Sequence, residues 1–434
     1  MSEPGAATAA YGRAARTVSL GIAATGLLTV AYFALASHAL SGADYSLLAV
    51  LWSVLFVVIT VSYRPIEQLL SRTIAHRSAR GLGSHPLRTI ARIEAGFATV
   101  AVGVAMAARP ALQARLFDGS AMLSWVLVAA IACYAVSYFA RGWLSGHKRF
   151  ALYGLLVLVE SATRLLFAVA VAAGLASGVD AVALGMAAAP VLSLIVVPLA
   201  FARRTREPPP AAGPEPDDGG FTLAHGVGFA AGVLGVTFAE QALLNAPVLV
   251  VNARAADAAL AGVVFNVFLI VRAPLVLFQS VQTSLLPHLA GLDPAGPAFA
   301  QAVRTTLAGI AAFAGVTAAA LLAAGPAALG ALFGEDGHYG RGGLALVGLA
   351  MGFHLAAVTL TQAQLARGRT AACAGVWLAA AGAFVAWMAL GPGPELLRAE
   401  AGYLGAAAAL AGAVAWLERR SRPRPARAQP AAAR

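Results

Sequence analysis

Four ionisable side chains lie inside long apolar stretches of this chain: Glu160, Arg164, Glu240 and Arg272. A charge at the centre of a membrane helix costs roughly 2.5 to 3.5 kcal/mol on insertion scales, so such residues turn toward partners or a wet cavity. Helical spacing puts Phe265, Phe268, Arg272 and Gln279 on one face. A guanidinium stays charged and grips phosphate oxygens in pairs. Arg272, flanked by rings and an amide, therefore suits a diphosphate and sugar head group. The competing reading pairs Arg272 with Glu240 on the neighbouring stretch, as a lock within the fold.

Glu160 and Arg164 are four residues apart, with the acid first. That order favours an intrahelical ion pair, which lowers the insertion cost. The functional reading gives Arg164 to an anion site and makes Glu160 a carboxylate that exchanges a proton near neutrality, because low dielectric disfavours its charge. Thr237, Gln241 and Asn245 share a face with Glu240 beside them, and Thr25, Thr29 and Tyr32 share another. Such faces either hydrogen-bond sugar hydroxyls in a cleft or tie helices together. Arg64, just before Pro65, ends an apolar span and could meet an incoming diphosphate.

The elements that must position these residues are membrane helices. A hydrophobic fraction of 60% and a charged fraction of 11% do not suit a soluble domain. With about 20 apolar residues per span, the stretches are 17–40, 45–62, 93–108, 121–140, 151–176, 181–202, 223–251, 258–286, 302–322, 344–360, 371–390 and 403–417. Twenty-three of the thirty Lys and Arg then fall on one side. That bias keeps the basic side, and with it both termini, in the cytoplasm. The expected class is an all-α, multi-pass protein of the inner or plasma membrane with about twelve spans, N-in and C-in. The net charge of +11 reads as cytoplasmic loops meeting anionic lipids, not as nucleic-acid binding. An apolar run after Arg13 and Arg16 imitates a signal peptide, but it is too long and another span follows at once.

The chain divides into 1–16, a lobe over 17–202, a Pro- and Gly-rich linker over 203–220, a second lobe over 221–417 and a basic tail over 418–434, which is expected to be disordered. Three segments repeat at nearly one offset. Pro110 with Leu116-Phe117 matches Pro326 with Leu332-Phe333; Ile66 to Leu70 matches Val281 to Leu285; Leu144 to Arg149 matches Leu365 to Arg369. Six spans per lobe make the repeats parallel, with a site near the midplane between them. Leu69, Leu70 and Ile74 in the basic loop predict a short interfacial helix. Gly228 with Gly232 and Gly348 with Gly352 have the spacing of close helix contacts. Pro247 and Pro274 predict kinks in the seventh and eighth spans. Cys133 and Cys373 give neither a disulfide framework nor a metal motif, and no cofactor is expected.

Several loop motifs resemble the polysaccharide-exporter branch of the multidrug/oligosaccharidyl-lipid/polysaccharide (MOP) flippase superfamily. They are Arg64 to Arg72, Arg141 to Phe150 with Glu160 and Arg164 downstream, and Arg272 to Gln282 running on to Leu286-Pro287. The resemblance implies a transporter that flips a polyprenyl-diphosphate-linked saccharide by alternating access, for cell-surface polysaccharide biosynthesis. It implies an anion cavity of Arg272, Arg164 and Arg64, and glycan-biosynthesis enzymes as partners. Proton or cation coupling stays open. The alternative is a multidrug or small-cation exporter of the same fold, against which stands the lack of acids in the first span. A major-facilitator transporter lacks its loop motif here, and a membrane enzyme lacks metal-ligand, nucleotide or nucleophile motifs. A membrane scaffold is disfavoured only by the intramembrane charges.

Overall fold

In the computed structural model, the described residues are 21, 24–79, 87–202, 223–255, 257–270, 272, 296–334, 339–366 and 369–420. Among them every regular element is helical. The helices are α1 (Ala24–Ala39), α2 (Gly42–Ala79), α3 (Leu87–Leu116), α4 (Ala121–Gly146), α5 (Phe150–Ala172), α6 (Gly178–Ser193), α7 (Val197–Ala202) and α8 (Leu223–Arg254). They continue as α9 (Leu260–Ile270), α10 (Pro297–Phe333), α11 (Arg341–Ala366), α12 (Thr370–Leu390) and α13 (Glu395–Arg420). The short α7 prolongs α6 across the 3-10 turn Leu194–Val196.

Ala- and Leu-rich runs favour helix intrinsically, and in lipid a helix satisfies every backbone group from within. Ten helices are long and apolar enough to cross a membrane, and α1 and α9 are shorter apolar helices in their described parts. The chain is therefore a multi-pass membrane protein, with twelve apolar helices among the described residues. Local chemistry sets several ends. The Ser120 hydroxyl accepts from the Leu123 N–H at 3.2 Å and caps α4. Gly334, at φ 68°, stops α10 in the left-handed region where a side chain would strain.

Three expectations need correction. The segment with Leu69, Leu70 and Ile74 is no separate interfacial helix: α2 runs unbroken for 38 residues, Pro65 included. Leu70 and Ile74 are buried and pack with Ile66 and Ile90, so they prolong the bundle instead of lying on a membrane. The spans 93–108 and 403–417 lie in helices of 30 and 26 residues. Hydropathy stops at the first charges, such as Arg92 and Arg109, but the backbone ladder does not. The basic tail does not begin at 418, since α13 holds Glu418, Arg419 and Arg420. Residues 1–16, the whole linker 203–220 and 421–434 lie outside the described residues, as do Gln279 and Pro274.

The repeat is visible in the packing. α3 on α4, α4 on α6 and α5 on α6 recur as α10 on α11, α11 on α13 and α12 on α13. The close approach of α1 to α5 at Gly21 and Gly154 recurs as α8 on α12. Glycines set the tightest of these. A Cβ on Gly352 would lie 2.3 Å from that of Ala314, and one on Gly232 would lie 2.5 Å from Thr370 Cγ2. The lobes meet chiefly through α2 and α8.

Several hydrogen bonds join the lobes at the end opposite the basic loops. Tyr45 on α2 donates to Asn266 on α9. Ser46 donates to the Ala259 carbonyl at 3.0 Å and accepts from the Gly262 N–H at 2.9 Å. Asn252 on α8 donates to the Leu116 carbonyl at 3.4 Å. These contacts join the two lobes at that end.

Candidate functional site

The first lobe holds a buried ionic cluster on α4 and α5. Tyr134, Ser137, Tyr138 and Arg141 follow helical spacing along one face of α4. Glu160 on α5 accepts from Tyr134 at 3.0 Å, from Ser137 at 3.3 Å, from Arg164 at 3.0 Å, and from Arg141 in a short ion pair. Arg164 also donates to the Tyr134 hydroxyl at 2.8 Å and to Ser161 at 2.9 Å, and its guanidinium lies 5.0 Å from the Trp52 ring on α2. Arg141 stacks over Tyr138 at 4.5 Å. Glu160, Arg164 and Arg141 are all under 9% exposed. Two guanidiniums against one carboxylate leave this cluster with a net positive charge.

Glu160 does pair with Arg164, but it is not the isolated carboxylate that a proton-exchange role requires. Two cations and two hydroxyls surround it. Arg141 is the residue the sequence reading missed. That reading placed it in a basic loop because the fourth span was ended at residue 140. The four-residue polar face of α4 was the available signal.

Arg64 lies within α2, one residue before Pro65, and is half-buried. Among the described residues it makes no hydrogen bond or ion pair. Glu67 of its own lobe and Glu240 of the other are close enough for their charges to act on it. Glu67 itself accepts from the Tyr153 hydroxyl at 3.0 Å. Arg64 thus faces the cleft between the lobes.

In the second lobe Arg272 does not pair with Glu240. It donates to the Leu244 carbonyl in a short contact and to Asn245 Oδ1 at 3.1 Å, so carbonyl dipoles, not a carboxylate, hold its charge. Glu240 instead faces His354 of α11, with 3.7 Å between Oε1 and Nε2. The other ring nitrogen of His354 lies 3.2 Å from the Tyr403 hydroxyl. His354 and Tyr403 are fully buried and carried no sequence signal beyond composition. Asn245 donates to the Gln241 carbonyl at 2.9 Å and to Gln241 Oε1 at 3.2 Å, so that polar face is bonded within α8. Phe265 and Phe268, expected beside Arg272 in a cavity, are core residues. Thr25 and Thr29 donate to carbonyls one turn back, at 2.9 and 2.8 Å, and Tyr32 donates to the Val182 carbonyl at 3.3 Å. Their donors are used inside the first lobe, which leaves only acceptor capacity for a sugar.

The arrangement can hold an anion at Arg64 and Arg272, and it offers Glu240 to a cation. Comparison with solved structures places the architecture. The chain is similar to a mutant of the Vibrio cholerae MATE transporter VcmN, with 14% identity, a TM-score of 0.64 and coverage of 95% of this chain and 98% of that one. It is similar to the eukaryotic MATE transporter AtDTX14 at 14% identity and TM-score 0.67, with the same coverage. A MOP superfamily transporter from Pyrococcus furiosus, whose binding pocket is described as reversed in polarity and suggestive of a different function, matches at 13% identity and TM-score 0.61, over 94% and 95% of the chains. No family model and no curated protein matches the sequence. The fold is that of the MATE transporters of the MOP superfamily. The neighbours named are MATE or MOP transporters, and none is named as a polysaccharide exporter, so the expected branch receives no support from them.

Proposed function

We propose that this protein is an alternating-access transporter that moves an anionic amphiphile across the membrane, with a polyprenyl-diphosphate-linked saccharide as the substrate class. The observation that carries the reading is Arg64. It is a half-buried guanidinium facing the cleft, with no hydrogen bond or ion pair among the described residues. Arg272, held among the described residues by carbonyl oxygens, supplies a second cation. A buried guanidinium with no direct ionic partner gains from an anionic one, and a diphosphate entering from the basic end would supply it. Proton or cation coupling and contact with glycan-assembly enzymes remain part of this proposal.

A second reading is a multidrug exporter of organic cations. The MATE neighbours favour it, and so does Glu240, which is 26% exposed at the cleft. The Pyrococcus furiosus neighbour shows that this fold also carries a pocket described as reversed in polarity.

Proteoliposomes separate the two. One set carries a fluorescent polyprenyl-diphosphate sugar and scores head-group translocation; the other carries a cationic dye and scores efflux. The first reading expects translocation by wild type and at least a tenfold loss in Arg64→Ala and Arg272→Ala, about 1.4 kcal/mol each. Dye efflux lost in Glu240→Gln and retained in Arg64→Ala, without sugar-lipid translocation, would establish the second reading.

A further inference from the structure

α3 turns most of its surface outward, and Ile90, Glu94 and Ala105 are its buried residues. Ile90 joins Ile66, Leu70 and Ile74 of α2 in an apolar cluster flanked by Leu87, Phe139 and Trp143. Glu94 lies one helical turn farther along the same face. It is 4% exposed, and neither of its carboxylate oxygens has a hydrogen-bond partner. Glu160 is as deeply buried but is surrounded by donors, so the two carboxyls are in opposite situations.

The groups facing Glu94 deepen the contrast. From α2, Glu67 brings a like charge and Tyr63 a hydroxyl. Tyr63 already donates its one proton to the Ile131 carbonyl at 2.9 Å. Among the described residues, no charged group of α4 acts on Glu94. α8 touches α3 at the far end of that helix, where Asn252 meets Leu116. Arg88 and Arg92 of α3 itself are exposed, and neither bonds to the Glu94 carboxylate. A buried carboxylate with no donor and a like charge nearby is not sustained as an anion. A metal ion would need several oxygen ligands in place of its water, and no three His, Cys, Asp or Glu converge among the described residues.

We propose that Glu94 is a proton-binding site: its carboxyl is carried as the neutral acid in this conformation, and it releases the proton only when α3 parts from α2 and α4. The apolar cluster around Ile90 closes the basic-end approach, so proton exchange requires that cluster to open. This site is separate from the Arg64 cleft and holds whichever substrate is transported.

The test is infrared difference spectroscopy on the purified full-length protein, titrated in pH. The expected result is a neutral-carboxyl C=O band at pH 7 in wild type that is lost in Glu94→Gln and bleaches as pH rises. Identical wild-type and Glu94→Gln spectra in that region would overturn the proposal. If Glu94→Gln does not fold, Glu94→Asp must shift the same band, and an unshifted band is equally fatal. Thermal unfolding supplies a second readout. The folded state holds a proton that the unfolded chain gives up, so the wild-type midpoint falls as pH rises from the ordinary carboxylate range through neutrality. The Glu94→Gln midpoint stays flat over that range; a parallel fall in both would also count against the site.

Discussion

Glu160 ties the first lobe together because it is the single anion between Arg141 and Arg164. Removing it strands two guanidiniums that are under 9% exposed. Glu160→Ala is therefore expected to cost about 3–5 kcal/mol, read as a lowered unfolding midpoint in detergent. Arg164→Ala costs less, since Arg141 still neutralises the carboxylate. An equal loss in both would mean that the cluster is not an ion triad in the folded protein. Half of this cluster was legible in the sequence, because a four-residue spacing announces a helical pair whatever the tertiary structure. Arg141 was not, because hydropathy cannot distinguish a basic residue in a loop from one that continues a helix inward. Glu94 was missed for the related reason that an acid at the second residue of a span reads as a boundary charge. Arg272 was read as buried and cationic, but its partners are backbone and amide oxygens that no residue-type pattern encodes.

At the scale of elements, glycine positions separate packing from mere composition. A Cβ on Gly352 would meet that of Ala314 at 2.3 Å, whereas nothing lies within 4 Å of one on Gly382 or Gly412. Gly352→Ala should force α11 from α10 and destabilise by about 1–3 kcal/mol. Gly382→Ala and Gly412→Ala should be neutral or stabilising by about 0.5–1 kcal/mol, through helix propensity alone. Thermal melts of the three variants check the contrast, and a uniform response would refute the packing shown. The sequence spacing of Gly348 and Gly352 pointed to close contact, but it could not name Ala314 as the partner. The helices themselves were legible as apolar runs, apart from their charged ends. Those ends extend α2, α3 and α13 by several turns because polar residues with good helix propensity do not interrupt the backbone ladder.

For the whole molecule, twelve apolar helices and their repeat were readable from spacing and offset, and the packing of the two bundles repeats accordingly. Where hydrogen bonds join the lobes was not readable, since it depends on Ser46, Tyr45, Asn252 and Asn266 meeting across lobes. A Cβ on Gly262 would stand 3.0 Å from the Ser46 hydroxyl, a spacing suited to a disulfide. With Cys133 and Cys373 replaced, Ser46→Cys with Gly262→Cys should cross-link under oxidant and arrest transport, and reductant should restore it. Full transport by the cross-linked protein would show that this seam does not open in the cycle.

The seam has one mechanical consequence. It grips α2 near its first turn, and the same helix carries Arg64, Glu67, Leu70 and Ile74 toward its other end. At 1.5 Å per residue, the rod from Ser46 to Ala79 is about 50 Å long. A pivot at Ser46 magnifies motion with distance: each ten degrees of tilt sweeps the far tip through roughly 9 Å by that length. Any tilt of α2 about the short interlobe bonds would therefore be read most strongly at its far tip, beyond Arg64.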